Sequence, residues 1–364
     1  MTARSRNIHY RKQQNKGKIF VISIFVLILF AVLSFFVFGN LNNIADEPAI
    51  INAEKTDTII ITLHGDENTQ VLKGEDYIES WAHAVDKKDG NITDKITISG
   101  NVDTNNVGEY SVEYKAVNKE GKYNTRIRKV KVVDKMEAPE KNIGVPVLMY
   151  HWVYQDGNPP ADLNSNFIST SNLEVQLDWL KKENFYFPSY QELRAYIEGK
   201  HTVPKQSVIL TFDDGESGFL AYGRPLFEKY KVPVTSFIIG NLEATPQNII
   251  SNASEYIDFQ SHTYALHVDG SSGKGHGGKI FDLNKDQQVA DFKKNAEILG
   301  TNEALAYPFG DYSDETPQAI QESGILCAFT VDPGFCKIGS DFTKLPRVRI
   351  LGNQSLESYA ATLK

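Results

Sequence analysis

The sequence predicts an α/β chain: a distorted (β/α) barrel, preceded by a small all-β sandwich and, ahead of both, an N-terminal transmembrane helix. Three observations predict it. Residues 19–38, IFVISIFVLILFAVLSFFVF, carry no charge. Residues 56–135 hold short alternating strands and no helix-period stretch. From residue 146 to 364, apolar runs of strand length alternate with helical stretches.

The first element is the anchor. Residues 1–18 carry Arg4, Arg6, Arg11, Lys12, Lys16 and Lys18 and no acid. The uncharged run behind them makes a helix of about 30 Å, enough to cross the hydrocarbon core. It is longer than a signal-peptide core, and neither an A-x-A-like site nor a cysteine for a lipid anchor follows it. An uncleaved anchor is therefore expected. Its basic flank stays in the cytoplasm, which puts the chain at the cell membrane, single-pass, with everything after Phe38 extracellular. A net charge of −8 excludes nucleic acid as a main partner, because phosphate binding needs a basic surface. The two cysteines, Cys327 and Cys336, are compatible with a disulfide outside the cell and equally with two small buried hydrophobes.

After a polar linker at 39–55 comes the sandwich. DTIIITLHG and DKITISG read as strands, and VGEYSVEYKAV puts Tyr110, Val112, Tyr114 and Ala116 on one face. In TRIRKVKVVD, Thr125 and Ile127 fall in one phase but Val130 and Val132 in the other, so a bulge or a change of sheet is expected. His64 and His83 stand isolated in the sequence and read as structural or surface residues. Asp86, Asp89 and Asp94 surround a turn and read as turn chemistry. Residues 74–134 resemble bacterial immunoglobulin-like domains of surface proteins, a resemblance that implies a spacer or adhesive module.

A second linker, 136–145, leads to the barrel. PVLMYH, SVILTFDDG, VPVTSFIIG, YIDFQSH, ALAYPFG, ILCAFTVD and LPRVRIL are its strand-like runs. Helix signals lie between them: Ser171 with Glu174, and Ser189 with Glu192, as capping boxes, Gly199 as a stop, and a helix from 284 to 299 ended by Gly300. Folds of this kind place chemistry at the C-terminal ends of strands. Those ends carry Asp213 and Asp214, His262 and His267, and His151. Adjacent carboxylates after a buried strand are strained without a cation or proton between them. One Asp with two His is an N2O set suited to zinc, with a position left open for water.

TFDDG, SHTYALH and AYPFG resemble the successive motifs of the polysaccharide deacetylase family (NodB homology domain, carbohydrate esterase family four). VPVLMYH ahead of them is similar to the branch of poly-N-acetylglucosamine deacetylases, in which the acid histidine comes early. The resemblance covers residues 144 to about 351 and implies metal-dependent removal of N-acetyl groups from an N-acetylglucosamine polysaccharide. It implies Asp214, His262 and His267 as ligands of a divalent metal, zinc first and cobalt or another ion next. Asp213 is then the general base, His151 the general acid, and the backbone near Phe309 and Tyr307 the oxyanion and substrate contact. The family's Arg shortly before the Pro-aromatic-Gly turn is missing here, where Ala306 and Tyr307 stand; Arg347 is the candidate to orient the base from another strand. Asp332 is a candidate partner of a histidine. Residues 267–279, with Gly270, Gly273, Gly275, Gly277 and Gly278, are expected to form a mobile rim, and His276 reads as a loop residue. Trp152, Tyr154 and Tyr312 are available for stacking on sugars but serve a core equally well. The expected substrate is an exopolysaccharide of the poly-N-acetylglucosamine kind, with peptidoglycan second. The rival from another class is a non-catalytic surface protein that binds glycan.

Overall fold

The computed structural model describes residues 53–364. The basic tail and the anchor expected at 19–38 lie outside the described residues. Among those described, no helix is long and apolar enough to cross a membrane.

The period-2 patterns of the N-terminal half form β1 (Ile59–Leu63), β2 (Asn68–Leu72), β3 (Ala82–Asp86), β4 (Gly90–Asn91), β5 (Ile96–Ser99), β6 (Gly108–Val117) and β7 (Tyr123–Val133). They pair as two sheets, β1-β3-β4 and β2-β7-β6-β5. Ile59, Ile61, Val112, Tyr114, Ala116 and Val130 fill the space between them. The bulge expected in β7 is not there. Its register against β6 runs unbroken from Val132 opposite Gly108 to Tyr123 opposite Val117. The apparent change of phase has another cause: Arg128 is the inward residue and Ile127 the exposed one. The Arg128 guanidinium is buried because every neighbour accepts from it: Nε donates to Tyr114 Oη (3.1 Å), Nη2 to the His64 carbonyl (2.9 Å), and Nη1 to the Asp66 carbonyl. Asp86 does perform turn chemistry, accepting from the Lys88 and Asp89 amides at 2.9 Å each.

The second half is a barrel. β8 (Val147–Tyr150), β11 (Ile209–Phe212), β12 (Val234–Ile238), β13 (Ile257–Ser261), β14 (Ala304–Ala306), β15 (Cys327–Pro333) and β16 (Leu345–Arg349) are parallel. They close in the order β11-β12-β13-β14-β15-β16-β8. Two short strands, β9 (Trp152–Tyr154) and β10 (Phe167–Ser169), pair outside it. Leu173, Leu177 and Leu180, on the helix Thr170–Lys182, pack on Leu148, Leu210 and Phe212. That helix is capped by Ser169 rather than by Ser171, whose hydroxyl bonds Asp156 instead. The Ser189–Glu192 capping box is formed, and Asn284 and Gly300 bound the helix Lys285–Leu299. Cys327 and Cys336 are buried free thiols.

The sandwich is docked on the barrel through paired polar groups. Thr62 Oγ1 donates to the Ser254 carbonyl (2.6 Å), and Arg126 Nη1 to the Glu255 carbonyl (2.6 Å). Ser80 Oγ meets Ser189 Oγ at 2.8 Å. The Thr62 and Ser80 contacts are buried, and buried polar contacts fix one orientation, since any other leaves donors unsatisfied.

Candidate active site

Asp213 and Asp214 follow β11, which is buried along its whole length. Parallel strands covered on both faces leave their C-terminal ends as the place where polar side chains converge. Asp214 adopts φ +77°, Thr263 φ +68° and Phe309 φ +60°, and each lies just past a strand end. Left-handed backbone costs a side-chain-bearing residue free energy, so it persists where surrounding contacts impose it, commonly at functional sites.

The expected ligand set is assembled. Asp214 Oδ1 lies 3.4 Å from His262 Nε2 and 3.3 Å from His267 Nε2. Tetrahedral ligands on bonds of about 2.0–2.1 Å sit about 3.3 Å apart, so the spacing fits one divalent ion. Two of the three donors are oriented from behind. His262 Nδ1 donates to the Ala306 carbonyl at 2.8 Å, which leaves the Nε2 lone pair facing Asp214. Trp152 Nε1 donates to Asp214 Oδ2 at 3.1 Å, leaving Oδ1 to the histidines. Trp152 was a stacking candidate in the sequence; its indole N–H has this orienting task, which residue type alone does not reveal.

Asp213 is buried beside this cluster and held by Arg347. Two charge-assisted bonds of 2.7 Å join Nη1 to Oδ1 and Nη2 to Oδ2. Arg347 Nε donates to the Thr330 carbonyl (3.0 Å) and Nη1 also to Thr211 Oγ1 (3.2 Å), so the fork cannot swing away. β16 therefore supplies the guanidinium missing beside the Pro308 turn. Burial pushes the Asp213 carboxyl up, but the guanidinium outweighs burial and holds it below the usual carboxylate range. His151, directly after β8, is half-buried. Burial pushes its pKa down, while Asp213 and Asp214 pull against that.

Three sequence expectations come out differently. Tyr307 is fully buried: its Oη donates to the Thr343 carbonyl (2.6 Å) and its amide to the Phe329 carbonyl (3.0 Å), so it braces strands and both of its donors are already taken. Asp332, the candidate partner of a histidine, is exposed at the end of β15, and among the described residues its carboxylate bonds no histidine. The glycine-rich rim is pinned. Asp311 accepts from the His276 and Gly278 amides (2.9 and 2.8 Å) and from His276 Nδ1 (3.0 Å), bolting the loop to the turn that carries Phe309. The Phe309 ring lies 4.8 Å from that of His267. Two positioning residues escaped the sequence reading because an amide and a carboxylate on a helix are usually turned to water. Asn295 Nδ2 donates to the Ile238 and Thr263 carbonyls and to Ser261 Oγ, and Asp291 accepts from the Tyr264 and Ala265 amides. Both fix the segment between the two histidines.

Comparison with known proteins agrees with this geometry. Residues 61–132 match the family model for the Ig-like domain of bacterial surface proteins, and residues 200–328 that for polysaccharide deacetylase. The second match spans Asp213, Asp214, His262 and His267 and ends before Arg347. A poly-beta-1,6-N-acetyl-D-glucosamine N-deacetylase of Staphylococcus epidermidis is 28% identical over 213 residues, 54% of this chain and 72% of that protein. One of Staphylococcus aureus is 25% identical over 205 residues, 52% of this chain and 69% of that protein. Among solved structures, the Streptococcus pyogenes deacetylase PplD in complex with acetate superposes with a TM-score of 0.51 at 25% identity, covering 61% of this chain and 99% of that one.

Proposed function

We propose that this chain, a member of the polysaccharide deacetylase family, hydrolyses the N-acetyl groups of a β-1,6-linked N-acetylglucosamine polymer at the cell surface. The products are acetate and free amines. One observation carries the reading: the Asp214–His262–His267 cluster stands directly against a buried carboxylate locked by a guanidinium. The named activity of the staphylococcal relatives supports the substrate, and the acetate held by the streptococcal enzyme supports the product.

Asp214, His262 and His267 would hold a divalent cation, with zinc the first choice for an N2O set and cobalt able to replace it. Bound there, such an ion supplies Lewis acidity to the acetamide carbonyl and to the attacking water. Asp213 does the proton work on that water. Arg347 keeps it ionised and aims both oxygens, so it accepts a proton as the oxygen attacks the acetyl carbon. The backbone N–H at Phe309, beside His267, donates to the oxyanion of the tetrahedral intermediate. His151 then protonates the nitrogen, the C–N bond breaks, and the amine leaves. Its burial disfavours the imidazolium, which makes the proton easier to give up. Arg347 touches only the base and is a positioning residue.

The basic run at 1–18 and the uncharged run at 19–38 support a single-pass anchor with both folded domains outside. An enzyme tethered in that way works on polymer as it leaves the cell. The full chain, purified in detergent with zinc, is expected to release acetate from poly-β-1,6-N-acetylglucosamine at least about tenfold faster than from peptidoglycan, about 1.4 kcal/mol of discrimination. Activity on peptidoglycan alone would overturn the substrate. No acetate from any acetylated glycan, with zinc or cobalt present, would favour a glycan-binding surface protein.

A further inference from the structure

β13 carries ligand-type residues at both ends. Asp258, Gln260 and, just past the strand, His262 alternate on one face. His262 belongs to the site above. Asp258 lies about 13 Å away along the strand at about 3.3 Å per residue, at the end where the sandwich docks. There it meets His64, which follows β1, and His83, in β3.

The three donor atoms converge. His64 Nε2 is 3.3 Å from His83 Nδ1 and 3.6 Å from Asp258 Oδ1, and His83 Nδ1 is 3.6 Å from the same oxygen. These separations come close to those in the Asp214 cluster and suit ligands on one tetrahedral ion. All three residues are buried. The far side of each is also occupied. His64 Nδ1 is 2.9 Å from Glu303 Oε1, His83 Nε2 is 3.0 Å from the Leu299 carbonyl, and Asp258 Oδ2 accepts from Gln260 Nε2 at 2.8 Å. A carbonyl and a carboxylate only accept, so both imidazoles place their protons outward. Two ring lone pairs and a carboxylate oxygen then face one another. Asp258 Oδ1 has no hydrogen-bond partner, a costly state for a buried anion. A cation at the centre satisfies all three. A cavity of about 30 Å³, large enough for one water, reaches His64 and Asp258 though not His83.

We propose that His64, His83 and Asp258 form a second divalent-metal site, a structural one that clamps the immunoglobulin-like domain onto the barrel. Two ligands come from the sandwich and one from the barrel, so the ion is bound only when the two are docked, and its binding free energy adds to docking. Carboxylates behind a metal-bound imidazole raise its basicity, which is the place of Glu303. The rival occupant is a proton: burial opposes charge on His64, but Glu303 and Asp258 outweigh it and lift the imidazole to about 9.

The test counts zinc in the full chain carrying Asp214→Ala, His262→Ala and His267→Ala together, which removes the first cluster. That variant is expected to retain about one zinc per chain after exhaustive dialysis, and zinc is expected to raise its melting temperature. Adding His83→Gln is expected to abolish both. A triple variant that folds, holds no zinc and melts at the same temperature with or without it would overturn the site and leave the proton as occupant. Should the triple variant not fold, His83→Gln alone decides. Zinc is expected to fall from about two per chain to about one with acetate release retained; an unchanged zinc count would overturn the proposal. The readout is metal at a site remote from the chemistry, so its failure leaves the deacetylase reading standing.

Discussion

Replacing Asp213 by Asn is expected to lower kcat on poly-β-1,6-N-acetylglucosamine by about 10²–10⁴-fold, with the metal bound at Asp214, His262 and His267 retained. Asn keeps the shape and one acceptor oxygen but takes no proton, so attack by water loses its base. His151→Gln is expected to cost a similar factor at the opposite step, because the amine then departs unprotonated. The two are separable. An activated ester of the same acyl group, such as p-nitrophenyl acetate, loses a stable phenolate that needs no proton, and should restore much of the His151→Gln rate and none of the Asp213→Asn rate. Metal content beside the kinetics keeps ligand loss apart from loss of proton transfer.

The second large effect belongs to Arg347→Met. The guanidinium is fully buried with its bonds directed at Asp213, Thr211 and Thr330. Removing one partner of a buried ion pair costs about 3–5 kcal/mol, mostly the penalty of the charge left behind. The sign of the pH effect follows from the causes. In the native chain Asp213 is held below its unfolded value, so its contribution to stability is present above about pH 4 and fades as acid titrates the folded carboxyl. Without Arg347, burial dominates and pushes the carboxyl up. The acidic limb of the kcat/KM profile is therefore expected to move to higher pH, and kcat at neutral pH to fall. The double variant Asp213→Asn/Arg347→Met should regain much of the lost stability and none of the activity. An Arg347→Met enzyme with an unshifted acidic limb would show that Asp213 owes its ionisation to something else.

The sequence was most legible where residue type limits the options. Asp213, Asp214, His262, His267 and His151 stand at the ends of buried strands, where unpaired polar groups are costly, so their convergence followed once the barrel was assumed. Arg347 was readable because the turn before Pro308 lacks the guanidinium its base needs. The misreadings share a cause: side-chain hydrogen bonds to distant backbone cannot be seen in local pattern. Arg128 counts as polar in a phase analysis yet is buried in the sandwich, because carbonyls and a tyrosine hydroxyl surround its guanidinium, and that produced the false bulge. Tyr307 sits beside the catalytic turn in sequence but turns its hydroxyl to Thr343. Ser171 has the spacing of a cap, and Asp156 takes its hydroxyl while Ser169 caps instead. His64 and His83 looked isolated because the residue that unites them, Asp258, belongs to the other domain.

Acetate release is expected to depend on a cation held by Asp214, His262 and His267. The most direct measurement is acetate released from poly-β-1,6-N-acetylglucosamine by the full chain and by its Asp214→Ala variant, with bound metal counted in both samples. The variant is expected to lose about one metal ion per chain and at least about 10³-fold in rate, a loss of more than about 4 kcal/mol of transition-state stabilisation. An Asp214→Ala chain that keeps its full complement of metal and releases acetate at the native rate would mean that Asp214 neither holds a cation nor serves the reaction.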